Sequence, residues 1–286
     1  MLIAAALAAV GAWRLFATRA PTRPVDDEPI ASALTNPQFH WDSVSTPQFT
    51  IYASSGSYPA ARIASYRPQV DSAISGALAI LGESAYPAHL RVFYVASRDE
   101  IQAVTGMPGM GIARAAYNSV VMVVDSSSPP YNRHEIMHAV SLRLWGQPGG
   151  PAGDARESAE TFYPGGWMRE GIATAAQHTC AQWTNRAVVA RMLDEHAMLP
   201  LDTLTEAFYK KDEVSAYLQG GTLVDFLLET YGRDAFKRLW RAGPRAMASI
   251  YGKDAAIIEA EWHTWLKATP AASTPPNVAE LRKHGC

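Results

Sequence analysis

Eight residues near the middle of the chain, Asn132-Arg133-His134-Glu135-Ile136-Met137-His138-Ala139, restrict its folding more than any other stretch. Two histidines four positions apart face the same way on a helix, one turn above the other. There His134 and His138 offer two imidazole nitrogens to one metal ion. Glu135 lies about 100° further round the helix, so its carboxylate stays near the ion without ligating it and can accept a proton from water there. Catalytic zinc takes three protein ligands and keeps a fourth position for water, and this pentapeptide supplies two. The bland reading is a pair of partly exposed histidines, since histidine is intermediate in burial and the pattern fixes only three letters of five.

Context favours the metal. Upstream, residues 119–124 (Ser-Val-Val-Met-Val-Val) form a β-branched run that reads as a strand. Downstream, residues 167–176 form an apolar helical stretch that carries one glutamate, Glu170. Strand, H-E-x-x-H helix, loop and a helix with an acidic residue is a metallopeptidase layout. His134-Glu135-x-x-His138 followed by Trp167-Met168-Arg169-Glu170-Gly171-Ile172-Ala173 resembles the gluzincins, zinc peptidases whose third ligand is a glutamate. Within them it looks most like the aminopeptidase N and peptidase MA-like group, where that glutamate sits in W-x-x-E-G-x-A. The resemblance implies an α+β, thermolysin-like catalytic domain, a small mixed N-terminal sheet followed by a mainly helical C-terminal half. It also implies Zn2+ held by His134, His138 and Glu170, with Glu135 as general base. The 31 residues from 139 to 169 between His138 and Glu170 exceed the short connection typical of aminopeptidase N. Residues 146–166 are rich in Gly and Pro and read as an inserted loop, which leaves subfamily and substrate open.

Two other third ligands can be weighed. A metzincin needs H-E-x-x-H-x-x-G-x-x-H, but the corresponding positions hold Ser141 and Leu144, so that reading fails. An aspzincin uses the aspartate of G-T-x-x-D, and Gly221-Thr222-Leu223-Val224-Asp225 matches. Asp225 stands as the alternative ligand, although it falls in an apolar helix that needs no metal to explain it. Related families also carry a tyrosine shortly before a glycine on the helix after the third ligand. Tyr217, in Ser215-Ala216-Tyr217-Leu218-Gln219-Gly220-Gly221, fits that position, where its hydroxyl would stabilise an oxyanion; the alternative is a tyrosine packed at the core edge. His178 and Tyr163 lie near the ligand helix without a motif. The amine-binding G-x-M-E-N segment of related aminopeptidases has its nearest counterpart in Gly106-Met107-Pro108-Gly109-Met110-Gly111, which lacks the glutamate. Exopeptidase and endopeptidase both stay open.

The 286 residues, 48% hydrophobic and 18% charged, describe a folded chain. A net charge of -2 offers no basic field for nucleic acid. Residues 2–13 are apolar over the length of a signal-peptide core and short for a membrane span. No Lys or Arg precedes them, whereas Arg14, Arg19 and Arg23 follow. Residues 1–20 are therefore expected to be a signal peptide or membrane anchor, in an exported or tethered protein on the periplasmic or cell-surface side; an internal core helix is the alternative. Residues 21–38 read as a linker, 39–268 as the metallopeptidase domain and 269–286 as a flexible tail.

Strands are expected at 48–52 and 90–95, with 112–116 and 119–124 pairing as a hairpin about Tyr117-Asn118. By the resemblance, 120–124 would be the sheet edge that an extended peptide joins. Helices are expected at 60–81, 99–104, 171–180, 185–196, 214–231, 234–241 and 254–267, with Gly232 as a C-cap. Cys180 and Cys286 have no metal-ligand spacing and read as one buried and one dangling free thiol, with a disulfide as the alternative in an oxidising compartment. The function this implies is zinc-dependent hydrolysis of a peptide or protein substrate; the alternative is a zinc-binding domain that serves as a non-catalytic binding or assembly module. The sequence specifies no oligomeric state.

Overall fold

The computed structural model of the chain describes residues 29–150, 165–270, 272, 274–284 and 286. The expected signal peptide or anchor at 1–20, most of the inserted loop and Tyr163 fall outside these. The first half contains α1 (Pro29–Thr35), β1 (Trp41–Ser45), β2 (Phe49–Ser54), α2 (Ile63–Leu81), β3 (Leu90–Val95), α3 (Arg98–Thr105), β4 (Gly111–Arg114), β5 (Ser119–Val123) and α4 (Asn132–Trp145). The second half is mainly helical: α5 (Gly166–Gln177), a small hairpin of β6 (Thr179–Cys180) and β7 (Trp183–Thr184), then α6 (Asn185–Asp194), α7 (Leu201–Glu206), α8 (Glu213–Tyr231), α9 (Arg233–Ala242), α10 (Met247–Tyr251), α11 (Ala255–Lys267) and α12 (Val278–His284). The molecule is thus a mixed α+β protein with a small N-terminal sheet. Among the described residues no helix is long and apolar enough to cross a membrane.

The sheet runs in the order β1-β2-β3-β5-β4. The central strands β2, β3 and β5 are parallel, and β1 and β4 close the two edges antiparallel. Val-, Phe- and Tyr-rich β3 and β5 suit this centre, because a parallel strand covered on both faces needs a near-continuous apolar run. Alternate residues divide between two cores. Val92, Tyr94, Val120 and Met122 face the main core with the α2 and α4 side chains. Phe93, Val95, Val121 and Val123 face a smaller one closed by Ile30 and Ala33 of α1 and Ile101 and Val104 of α3.

Five expectations need correction. Residues 120–124 are not the sheet edge: β3 occupies one side of β5, and the hairpin through Asn118 (φ 51) folds β4 onto the other. The edge is therefore β4. Residues 29–35, read as linker, form α1, whose Ile30 and Ala33 gain burial on the sheet. Helix α5 stops at Gln177 instead of reaching residue 180, because His178 turns left-handed (φ 64) and opens the β6–β7 hairpin. Finally, the tail is not loose and the cysteines are not free. Val278 and Leu281 of α12 are buried, Arg282 Nε donates to Ser215 Oγ at 2.8 Å, and Cys286 is disulfide-bonded to Cys180 across 106 residues.

Candidate metal centre

Helix α4 is fixed in rotation by its apolar side chains. Ile136, Met137, Ala139 and Val140 are fully buried, which turns His134, Glu135 and His138 toward a cleft. Its first turn is tied to the sheet by Tyr94, whose hydroxyl donates to Asn132 Oδ1 at 2.7 Å. Helix α5 is held by Trp167, Met168 and Ile172, all buried. It also lies unusually close to α8. A Cβ on Gly171 would come within 2.6 Å of the Gly220 carbonyl oxygen, and one on Gly221 within 2.7 Å of Thr174 Cγ2. Glycine on both helices permits that approach, and it sets Tyr217, one turn before Gly221, on the wall of the cleft that Glu170 also lines.

Three donor atoms converge there. His134 Nε2 and His138 Nε2 are 3.1 Å apart, and Glu170 Oε2 stands 3.5 Å from the first and 3.0 Å from the second. A tetrahedral zinc with bonds of about 2.0–2.1 Å requires its donors to be roughly 3.3 Å apart. The observed triangle matches that within a few tenths of an ångström, and two imidazoles with one carboxylate are a zinc-type donor set. His134, His138 and Glu170 are thus a group that could hold a metal ion. Asp225 does not join them: it lines no part of the cleft, and the charges acting on it are Glu229 and Arg186. Nor does His178, which sits with Arg133 in a separate shallow depression.

The electrostatics follow from burial among charges. Burial works to raise the pKa of Glu170, but the adjacent His138 and His134, followed by Arg169, overcome it and hold the carboxyl well below its ordinary range. Burial likewise works to lower the pKa of His134, and the hydrogen bond to Glu170 with the charge of Glu135 turns the net shift upward. For Glu135 burial dominates and raises its pKa against the pull of His134 and His138. Its carboxylate lies directly against the edge strand, since a Cβ on Gly111 would fall 2.2 Å from Glu135 Oε1. The Tyr217 ring is stacked parallel to His134, centroids 6.2 Å apart. Burial, then the charge of Glu170, pushes its phenol far up, so it is a hydrogen-bond donor at any working pH.

The cleft encloses about 610 Å³, within the usual range for ligand sites. One wall is the loop and edge strand from Met107 to Ala113; another is the start of α8, with Glu213, Val214, Tyr217 and Leu218. Two residues in contact with the centre were not legible in the sequence. Arg169 and Tyr209 both bond Glu170 Oε1, at 3.0 and 3.1 Å. Arg169 stands inside the W-x-x-E motif at a position the motif leaves free. Tyr209 comes from a short 3-10 turn, 39 residues away along the chain, where no motif marks it.

No protein-family model matches the sequence, and neither does any curated protein. Among solved structures, an aminopeptidase N family protein from Idiomarina loihiensis is similar at 15% identity and a TM-score of 0.40. The likeness covers 86% of this chain and 46% of that one, so this chain spans about half the length of that protein. At that TM-score the match assigns neither fold nor activity.

Proposed function

We propose that the chain is a zinc-dependent peptidase with a gluzincin-like catalytic domain, in which His134, His138 and Glu170 hold Zn2+ and Glu135 is the general base. One observation carries this reading: three donors at zinc-compatible separations meet in a cleft that also contains Glu135 and a sheet edge. When bound, zinc supplies Lewis acidity that makes water reactive near neutral pH and polarises a carbonyl. The remaining work falls to the chain's own residues. An extended peptide joins the outer side of β4, on which no described strand pairs, through main-chain hydrogen bonds. Glu135, buried between the histidines and Gly111, accepts the proton of the attacking water and passes it to the departing amine as the C–N bond breaks. Tyr217 donates a hydrogen bond to the oxyanion that forms on the carbonyl oxygen.

The test is cleavage of a mixed peptide library by the full chain loaded with zinc, read by mass spectrometry. Wild type should cut, and Glu135→Gln should lose about 10²–10⁴-fold in rate at unchanged zinc content. A variant as active as wild type would reject Glu135 as the base. A fully loaded wild type that binds peptides without cutting any would leave the non-catalytic binding module. Export or membrane tethering belongs to the same proposal, supported by the Cys180–Cys286 disulfide, since such bonds persist mainly in oxidising compartments. Fractionation of expressing cells tests it, and an exclusively cytosolic protein would count against it.

A further inference from the structure

The two oxygens of Glu170 have different surroundings. Oε2 faces His134 Nε2 and His138 Nε2. Oε1 accepts from Arg169 Nε at 3.2 Å, from Arg169 Nη2 at 3.0 Å and from the Tyr209 hydroxyl at 3.1 Å. Arg169 Nη2 also donates to the Tyr209 oxygen at 3.1 Å, which closes a triangle. An arginine fork ordinarily spans both oxygens of a carboxylate. Here both prongs land on one, and with the tyrosine they saturate the two lone pairs of that oxygen. The tyrosine is itself seated by a glycine: a Cβ at Gly166, the first residue of α5, would meet Tyr209 Cε2 at 2.4 Å. Phe208 supports the ring edge-on, centroids 5.2 Å apart.

We propose that Arg169 and Tyr209 are positioning residues that occupy Oε1 of Glu170, so that this ligand offers a metal one oxygen, Oε2, and never both. This rests on the metal-centre reading above. Single-oxygen ligation preserves an open position for water, and the two donors on Oε1 fix the direction in which Oε2 is presented. Hydrogen-bond partners of metal ligands usually change affinity about 10–100-fold.

The experiment uses the full chain and two probes, zinc and cobalt(II). Zinc affinity is measured by competition with a chromogenic chelator for wild type, Tyr209→Phe and Arg169→Gln. Cobalt(II) is then loaded and its visible absorption recorded, since the intensity falls as coordination number rises above four. Tyr209→Phe keeps the ring against Gly166 and Phe208 and should still fold; Arg169→Gln, at a partly exposed position on the cleft, is the second variant. Each should bind zinc about 10-fold more weakly and show a fainter cobalt spectrum as Glu170 turns to chelate through both oxygens. Arg169→Lys, which keeps the charge without the fork, should restore part of the affinity. Unchanged affinity and spectrum in both variants would overturn the proposal. Weakened affinity with an unaltered spectrum would overturn it too, because the residues would then matter only for packing. A wild type that binds neither metal would instead remove the metal-centre reading itself, which keeps the two failures distinct.

Discussion

Gly111→Ala isolates the base from the metal. The added methyl carbon would lie 2.2 Å from Glu135 Oε1, 2.7 Å from Cδ and 2.9 Å from Cγ. Non-bonded carbons settle at about 3.5–4.0 Å, so the carboxylate must retreat by roughly 1 Å. The obstacle is the end of a side chain and not backbone, so the strand should survive at an overpacking cost of about 1–3 kcal/mol. The three atoms that the new methyl approaches most closely all belong to Glu135, so zinc content should stay at the wild-type level. A misplacement of about 1 Å in a catalytic group costs about 10²-fold in rate, or roughly 2.7 kcal/mol of barrier. The assay is kcat and KM on a fluorogenic peptide at matched zinc occupancy, with zinc measured on the same sample. The fall should appear in kcat, and Gly111→Ala should add little in a Glu135→Gln background, because both changes act through one carboxylate. A fully loaded Gly111→Ala protein with wild-type kcat would refute the placement of the base against the edge strand.

Other consequences concern stability. Asp225 is pushed from 3.8 to about 7 by burial and then by Glu229, partly opposed by Arg186. The folded form therefore holds this proton more tightly than the unfolded form; the contribution is complete below about pH 4 and disappears by about pH 7, up to roughly 4 kcal/mol. Asp225→Asn should flatten that part of the pH–stability curve, and urea midpoints with the same pH slope in both proteins would contradict it. Reducing the Cys180–Cys286 bond, which closes a loop of about a hundred residues, should cost about 2–5 kcal/mol; a urea midpoint insensitive to reductant or to Cys180→Ser would show otherwise. Gly171→Ala drives a methyl against the Gly220 carbonyl, which cannot swing aside, and should cost about 1–3 kcal/mol while weakening zinc binding by shifting Glu170. Unaltered thermal stability would mean that the α5–α8 contact is looser than described.

What the sequence disclosed follows from the range of the interactions involved. Local patterns were readable: the apolar strand at β3, the β-branched run of β5, the turn at Asn118 and the helical spacing of His134 and His138 are set by neighbours within a few residues. Glu170 was marked by its motif. Pairings between distant segments were not readable. Nothing near Cys286 announces Cys180, and nothing in 119–124 says which of its sides β3 or β4 will take. Asp225 matched a ligand pattern, yet it falls two turns beyond Tyr217 on α8 and lines no part of the cleft. Tyr209 reaches Glu170 only because Gly166 leaves room for its ring, a condition written 43 residues earlier.

The metal centre itself is tested most directly by diffraction from crystals soaked in zinc, recorded on either side of the zinc absorption edge. The expected result is one anomalous peak at about 2.0–2.2 Å from His134 Nε2, His138 Nε2 and Glu170 Oε2 together, absent in crystals of Glu170→Ala. A peak elsewhere, or none between these three atoms in fully soaked wild-type crystals, would contradict the site and the peptidase chemistry built on it.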